Sequence, residues 1–183
     1  MLSDLQTRKL THAFQLADMD DDGVLQRADY EKYAAQMADA FEIPHDSSAS
    51  RALNEKILGD WEMTKQLVAG KDDSITLQEF LAFHDAVIHS PMLDGFVAGY
   101  VDGTLALWRA VDPNGPADSA TPERFARFLQ AFGVSAADAA EAFRHLDRNG
   151  NGVMSRDEMI EAQKEFFMSD DPNAAGNWLL GAF

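Results

Sequence analysis

The chain is 183 residues long, 46% hydrophobic, and carries 31 acidic against 15 basic residues, for a net charge of −16. That apolar content excludes a disordered acidic tail and supplies one core or two tightly joined halves, while the charge repels phosphates and excludes nucleic acid as a partner. The absence of cysteine excludes disulfides, thiolate metal sites and cysteine nucleophiles. Residues 1–6 lack the charged-then-apolar order of a secretory signal, and Leu2 stands where N-myristoylation needs glycine. No apolar run approaches the ~20 residues that span a bilayer. A cytoplasmic chain without membrane attachment is the expectation, its acidity suited to binding cations.

In chain order, Leu10, Ala13, Phe14 and Ala17 recur at helical spacing and predict an amphipathic helix from Asp4 to Ala17. It leads into residues 18–29, which offer carboxylates at loop positions 1, 3, 5 and 12 (Asp18, Asp20, Asp22, Asp29). Gly23 stands at position 6, the Val24 carbonyl at 7, apolar Leu25 at 8 and Gln26 at 9. A hard cation needs oxygens of this kind, and a sharp turn at position 6 favours glycine. Tyr30, Tyr33, Ala34 and Met37 mark the core face of the exiting helix. Pro44 and the polar run to Ser48 stop that helix and start a third, capped by Ser or Asp, with Leu53, Ile57, Trp61 and Leu67 inward.

Residues 68–79 hold the place of a second loop. Ile75 falls at position 8, and Thr76 with Glu79 forms a capping box. The donors are missing, however: Val68 and Gly70 stand at positions 1 and 3, Asp73 at 6, and Lys71 adds positive charge. Only Asp72 and Glu79 remain, too few to replace a hydration shell. Ser90-Pro91 then breaks the chain into two halves, residues 1–90 and 91–183. The apolar stretch from Phe96 to Trp108 contains Gly99 and Gly103, with Gly95 before it, either interrupting a helix or marking close packing.

A third loop follows, and its two ends disagree. Trp108 lies four residues before Asp112, which puts position 12 at Glu123; the exit aromatics Phe125 and Phe128 put it at Arg124. Pro116 and Ala117 replace the usual donor and glycine, so Asp112, Asn114, Asp118 and Glu123 remain only as donors of an irregular site. Ser135 and Asp138 cap the next helix, and Phe143 and Leu146 lead to residues 147–158. There Asp147, Asn149, Asn151, the Val153 carbonyl, Ser155 and Glu158 occupy positions 1, 3, 5, 7, 9 and 12, with Gly152 at 6. The last helix carries Met159, Ala162 and Phe166 on one face. A tail with Trp178, Leu179, Leu180 and Phe183 is expected to fold back over a cleft between the helix pairs.

Loops one and four resemble EF-hands. Four helix-loop-helix units, beginning at 18, 68, 112 and 147, together with Asp29 and the Trp178-Leu179-Leu180-Gly181 tail, resemble the sarcoplasmic calcium-binding protein and calerythrin group over nearly the whole chain. The resemblance implies an all-α fold with four EF-hand units in two pairs, packed face to face as a compact globule. It implies Ca2+ at loops one and four. Loops pair through position 8, Leu25 with Ile75 and Met154 with the third loop. Loop one has four carboxylates and a short Asp at position 12, which suits a smaller shell, so Mg2+ is expected to compete mainly there.

The methionines are scattered rather than clustered, and the tail would fill a groove that a target helix might use. Both features point to a monomeric calcium buffer or calcium-responsive protein rather than a sensor displaying a groove to a target protein. Photoproteins share the four-hand layout and enclose a ligand with His, Trp and Tyr. Here the aromatics read as core, the five histidines as solvated, and the chain ends in Phe183 rather than that family's proline. No nucleophile–base pair is present, so an enzyme is not expected.

Overall fold

The computed structural model describes residues 1–68 and 72–182, so the expectations at Gly70, Lys71 and Phe183 lie outside the described residues. The fold is all-α. Helices α1 (Asp4–Ala17), α2 (Arg27–Ala40), α3 (Ser48–Val68) and α4 (Leu77–Ile88) precede α5 (Leu93–Val111), α6 (Pro122–Gln130), α7 (Ala136–Leu146) and α8 (Arg156–Met168). Two-residue strands lie inside the loops: β1 (Val24–Leu25), β2 (Ile75–Thr76), β3 (Ser119–Ala120) and β4 (Met154–Ser155). Short polar side chains start the helices by accepting otherwise unpaired N–H groups, as Ser3, Thr76, Thr121, Ser135 and Ser155 do. Ser47 accepts the Ser50 N–H at the head of α3. At the far ends, Asp18, Asp112 and Asp147 each donate their N–H at 2.9 Å to the carbonyl of the aromatic residue four back: Phe14, Trp108 and Phe143.

The strands pair antiparallel, β1 with β2 (Leu25 opposite Ile75) and β3 with β4 (Ala120 opposite Met154). Under the first bridge lie Phe14, Leu25, Trp61 and Ile75; under the second lie Trp108, Phe125, Phe143, Leu146 and Met154. Two further clusters join one pair of units to the other. One brings Met37, Leu53 and Ile57 against Leu107, Val111 and Ala131; the other brings Leu10 and Ile88 against Leu93, Val97 and Phe166. Apolar burial is therefore shared across the pairs, and it supplies most of the driving force for folding.

Several features depart from the sequence reading. α5 is one helix despite its glycines, and no atom lies within 4 Å of a Cβ placed at Gly95, Gly99 or Gly103, so they mark no close packing. Leu67, expected inward, is 59% exposed, while its neighbour Val68 packs against the cluster of Phe14 and Trp61. Lys9 is fully buried: its Nζ donates to the carbonyls of Glu165 (3.0 Å) and Ser169 (2.9 Å), closing the carboxyl end of α8. Burial pushes Lys9 down to about 8, against the pull of Asp170 and Glu165.

The tail folds back, with Leu179 and Leu180 against apolar clusters of both halves. A 3₁₀ turn (Ala175–Trp178) lies on α7 and α8, Trp178 stacks on His145 at 4.4 Å, and the Leu180 carbonyl meets His12 Nε2 at 3.3 Å. Gly176 allows this approach, since a Cβ there would overlap the Ala162 carbonyl and the Glu165 side chain. The space between α2, α3, α5 and α6 stays open as a cavity of about 230 Å³, bordered by Tyr30, Tyr33, Tyr100, Thr64, Gly103 and Phe132.

His84, expected to be solvated, is instead buried among Phe80, Phe83, Phe96 and Phe167, its Nδ1 donating to the Phe80 carbonyl at 2.8 Å. Burial lowers it from 6.5 to about 4, outweighing the hydrogen bond that raises it. A depressed imidazole stays neutral in the fold while the unfolded chain takes up a proton. Stability therefore falls as pH drops from 6.5 towards 4, by at most about 3 kcal/mol. His84→Phe should remove that share of the acid sensitivity in the metal-free chain. Urea unfolding of both proteins at pH 7 and 5 checks it: an unchanged difference between the two pH values would refute the assignment.

Candidate metal centres

Loop one closes through its own backbone. Asp18 accepts the N–H groups of Asp22 (3.2 Å) and Gly23 (2.9 Å), and Asp22 accepts that of Val24 (3.0 Å). Two residues take left-handed backbone, Asp21 (φ 60°) and Gly23 (φ 88°). These turns gather the carboxylates of Asp18, Asp20 and Asp22, with one oxygen from each within 4.8 Å of the others. Gln26 donates its amide to Asp22 Oδ2 at 2.8 Å, so its side chain braces the rim of the ring.

Loop four repeats this geometry. Asp147 accepts from Asn151 (3.2 Å) and Gly152 (2.8 Å), and Asn151 accepts from Val153 (2.8 Å). Gly150 (φ 67°) and Gly152 (φ 80°) take the two left-handed places. The sequence reading singled out position 6 alone. Position 4 bends the same way, and its signal was the Gly150 and Asp21 pair, residue types that tolerate this backbone.

Position 12 is filled alike in both loops. Glu158 accepts the N–H of Arg148 (3.1 Å) on one oxygen and of Ser155 (2.9 Å) on the other; Asp29 accepts from Met19 (2.8 Å) and Gln26 (2.8 Å). The shorter Asp29 thus accepts from the same two loop positions, 2 and 9, as Glu158 does. The electrostatics differ. Burial raises Asp29, its two N–H bonds only partly oppose this, and the charges of Asp20 and Asp18 raise it further. Burial also acts to raise Glu158, but the hydrogen bonds from Ser155, Asn149 and Arg148 together pull it below the usual range. The donors fit a hard divalent cation: convergent oxygens, unbalanced negative charge at loop one, and no nitrogen or sulfur ligand in either set.

The other two loops differ. In loop two, Glu79 accepts from the N–H and hydroxyl of Thr76 at 2.9 and 2.7 Å, as Glu158 does from Ser155, but Val68 stands where loops one and four have Asp18 and Asp147, and Asp72 accepts from Ser74. In loop three the Ala120–Met154 pairing fixes Ala120 at position 8 and so Arg124 at position 12, while Asp112 starts the loop; it is one residue longer than its partner. Glu123, a candidate donor for an irregular site, is exposed and bonds Thr121 at the head of α6, so it is not brought to the loop centre. The side chain brought there is Arg124, which the exit aromatics Phe125 and Phe128 placed at position 12.

The family described as an EF-hand domain pair matches residues 119–164. Calerythrin of Saccharopolyspora erythraea is 32% identical over 170 residues, covering 91% of this chain and 94% of that protein. A calcium-binding protein of Streptomyces coelicolor, described as a basis for prokaryotic calcium-mediated regulation, superposes with a TM-score of 0.71 at 26% identity, over 88% of this chain and 97% of that one. The sarcoplasmic calcium-binding protein of amphioxus shares the fold at 22% identity, with a TM-score of 0.70 over the full length of both chains. With two EF-type loops closed by the same hydrogen bonds and a relative matched along nearly its whole length, the chain belongs to the EF-hand family of calcium-binding proteins, in the group of calerythrin.

Proposed function

We propose that the protein is a cytoplasmic, monomeric, non-enzymatic calcium buffer with two sites, one in each half (residues 1–90 and 91–183). Asp18, Asp20, Asp22, the Val24 carbonyl, Gln26 (directly or through water) and Asp29 hold one Ca2+. Asp147, Asn149, Asn151, the Val153 carbonyl, Ser155 and Glu158 hold the other. The carrying observation is that the exiting helices, which in a sensor separate to expose a groove, are packed across the two halves: Tyr33 of α2 stacks on Phe132 at 4.5 Å, and Ala131 joins the cluster of Met37 and Leu53. Opening either pair would tear this shared core.

Calorimetric titration of the metal-free protein tests the reading. Two binding events with dissociation constants on the order of 10⁻⁸ M, weakened by millimolar Mg2+ chiefly at loop one, are expected. Sites near ~10⁻⁶ M that ignore Mg2+ would speak against a buffer. The second reading, a sensor with a protein target, draws on the open cavity, because Met19 and Asp29 of loop one form part of its wall. Calcium-dependent binding of a hydrophobic dye would favour that reading over the buffer.

A further inference from the structure

Loop three has the outline of its partner but a different centre. Arg124 is 3% exposed and fills that centre with its guanidinium. Nε and Nη2 donate to Asp112 Oδ2 at 3.1 and 2.9 Å, Nη2 also to the Asp112 carbonyl at 2.9 Å, and Nη1 to the Ser119 carbonyl at 3.1 Å and to that of Pro116. The cation faces the Trp108 ring, 6.0 Å from its centroid, and Gly115 leaves it room, since a Cβ there would overlap Nη2 and Asp112 Oδ2. Arg109 braces the same loop through the Ala117 carbonyl at 2.7 Å.

One carboxylate and three carbonyls converging on a positive group are the kind of donors that a metal ion gathers in such a loop. A guanidinium stays charged at any pH the protein meets and presents five N–H donors in a rigid fork. It pairs with Asp112 and takes the carbonyls of Asp112, Pro116 and Ser119, so a divalent ion would have to displace it to reach these oxygens. Arg124 also holds the carbonyl of Ser119, and Ser119 lies opposite Ser155 of loop four in the β3–β4 bridge.

We propose that Arg124 is a tethered cation and a positioning residue: it holds loop three permanently in its filled form, so that loop four binds calcium against a partner that is already ordered. This inference rests on the reading that loop four binds calcium. The full-length chain tests it, with the backbone amide signals of Gly23 and Gly152 reporting loops one and four separately during calcium titration. Arg124→Gln should raise the dissociation constant at loop four about tenfold and leave loop one within about twofold. In the metal-free chain it should remove hydrogen-exchange protection of the β3–β4 bridge. Arg124→Lys, which keeps the charge but loses the fork, should shift loop four by about threefold. Millimolar n-propylguanidinium should restore loop four in Arg124→Ala.

An unchanged loop-four affinity in Arg124→Gln overturns the proposal. So does an equal loss at both loops, which would mean general destabilisation, or a failed restoration by n-propylguanidinium. Should Gly152 of the unsubstituted protein ignore calcium, the two-site reading fails. The metal-free exchange experiment then still decides whether Arg124 holds the bridge.

Discussion

Glu158→Gln is expected to weaken calcium binding at loop four by at least about a hundredfold, equivalent to roughly 2.7 kcal/mol, while loop one keeps its affinity. Loop four brings only two carboxylates, Asp147 and Glu158, against four in loop one, so one substitution removes half of its charge. The geometry makes the loss more severe. Glu158 Oε1 already accepts from the Arg148 N–H and Asn149 Nδ2, and Oε2 from the N–H and hydroxyl of Ser155. An amide at this place has one acceptor instead of two, and its NH2 faces donors. It would turn away or leave these N–H groups unpaired around a residue that is only 8% exposed. Calorimetry should then count one binding event fewer than for the unsubstituted protein. Two unchanged binding events would remove Glu158 from the ligand set.

Trp61→Ala should destabilise the metal-free protein by about 3–5 kcal/mol, the usual loss when a large aromatic leaves a packed core. Trp61 is 1% exposed and lies with Phe14, Leu25 and Ile75 beneath the first bridge, its ring centroid 5.1 Å from that of Tyr30. Leu25 and Ile75 are the residues that pair loop one with loop two. The cavity would therefore open directly under the calcium loop and loosen it. Calcium affinity at loop one should fall with stability, while loop four, supported by the Trp108 cluster, changes little. Saturating calcium should return part of the loss through linkage. Urea unfolding with and without calcium measures both terms. A loss below about 1 kcal/mol would show that the site collapses around the gap.

How much of the molecule was legible depended on how local its determinants were. Asp18 to Asp29 and Asp147 to Glu158 were legible because each set of donors, its turning residues and its cap lie within twelve residues, and the backbone hydrogen bonds closing each loop run between near neighbours. The apolar residue at position 8 gave the pairing of Leu25 with Ile75 for the same reason. Loop three was ambiguous because its entry and exit signals differ by one residue. Only pairing with Met154 chooses between Glu123 and Arg124, and that contact lies more than thirty residues away.

By itself the sequence determined the helix-loop-helix pattern, the two complete donor sets and the absence of one in loop two. All three follow from residue type at fixed short spacing, where backbone geometry leaves few alternatives. The tertiary structure decided what depends on which surfaces meet. It seated the tail on α7 and α8 with Leu180 against His12 of α1, because Gly176 fits against α8. It buried Lys9 at the end of α8, and it buried among four phenylalanines His84, which the sequence had marked as solvated. It left Leu67 exposed where helical periodicity pointed inward. It also turned Arg124 into the centre of a loop that the chain wrote without a complete ligand set. Charge and polarity fix what a side chain can do; the neighbours that folding brings to it decide which of those things it does.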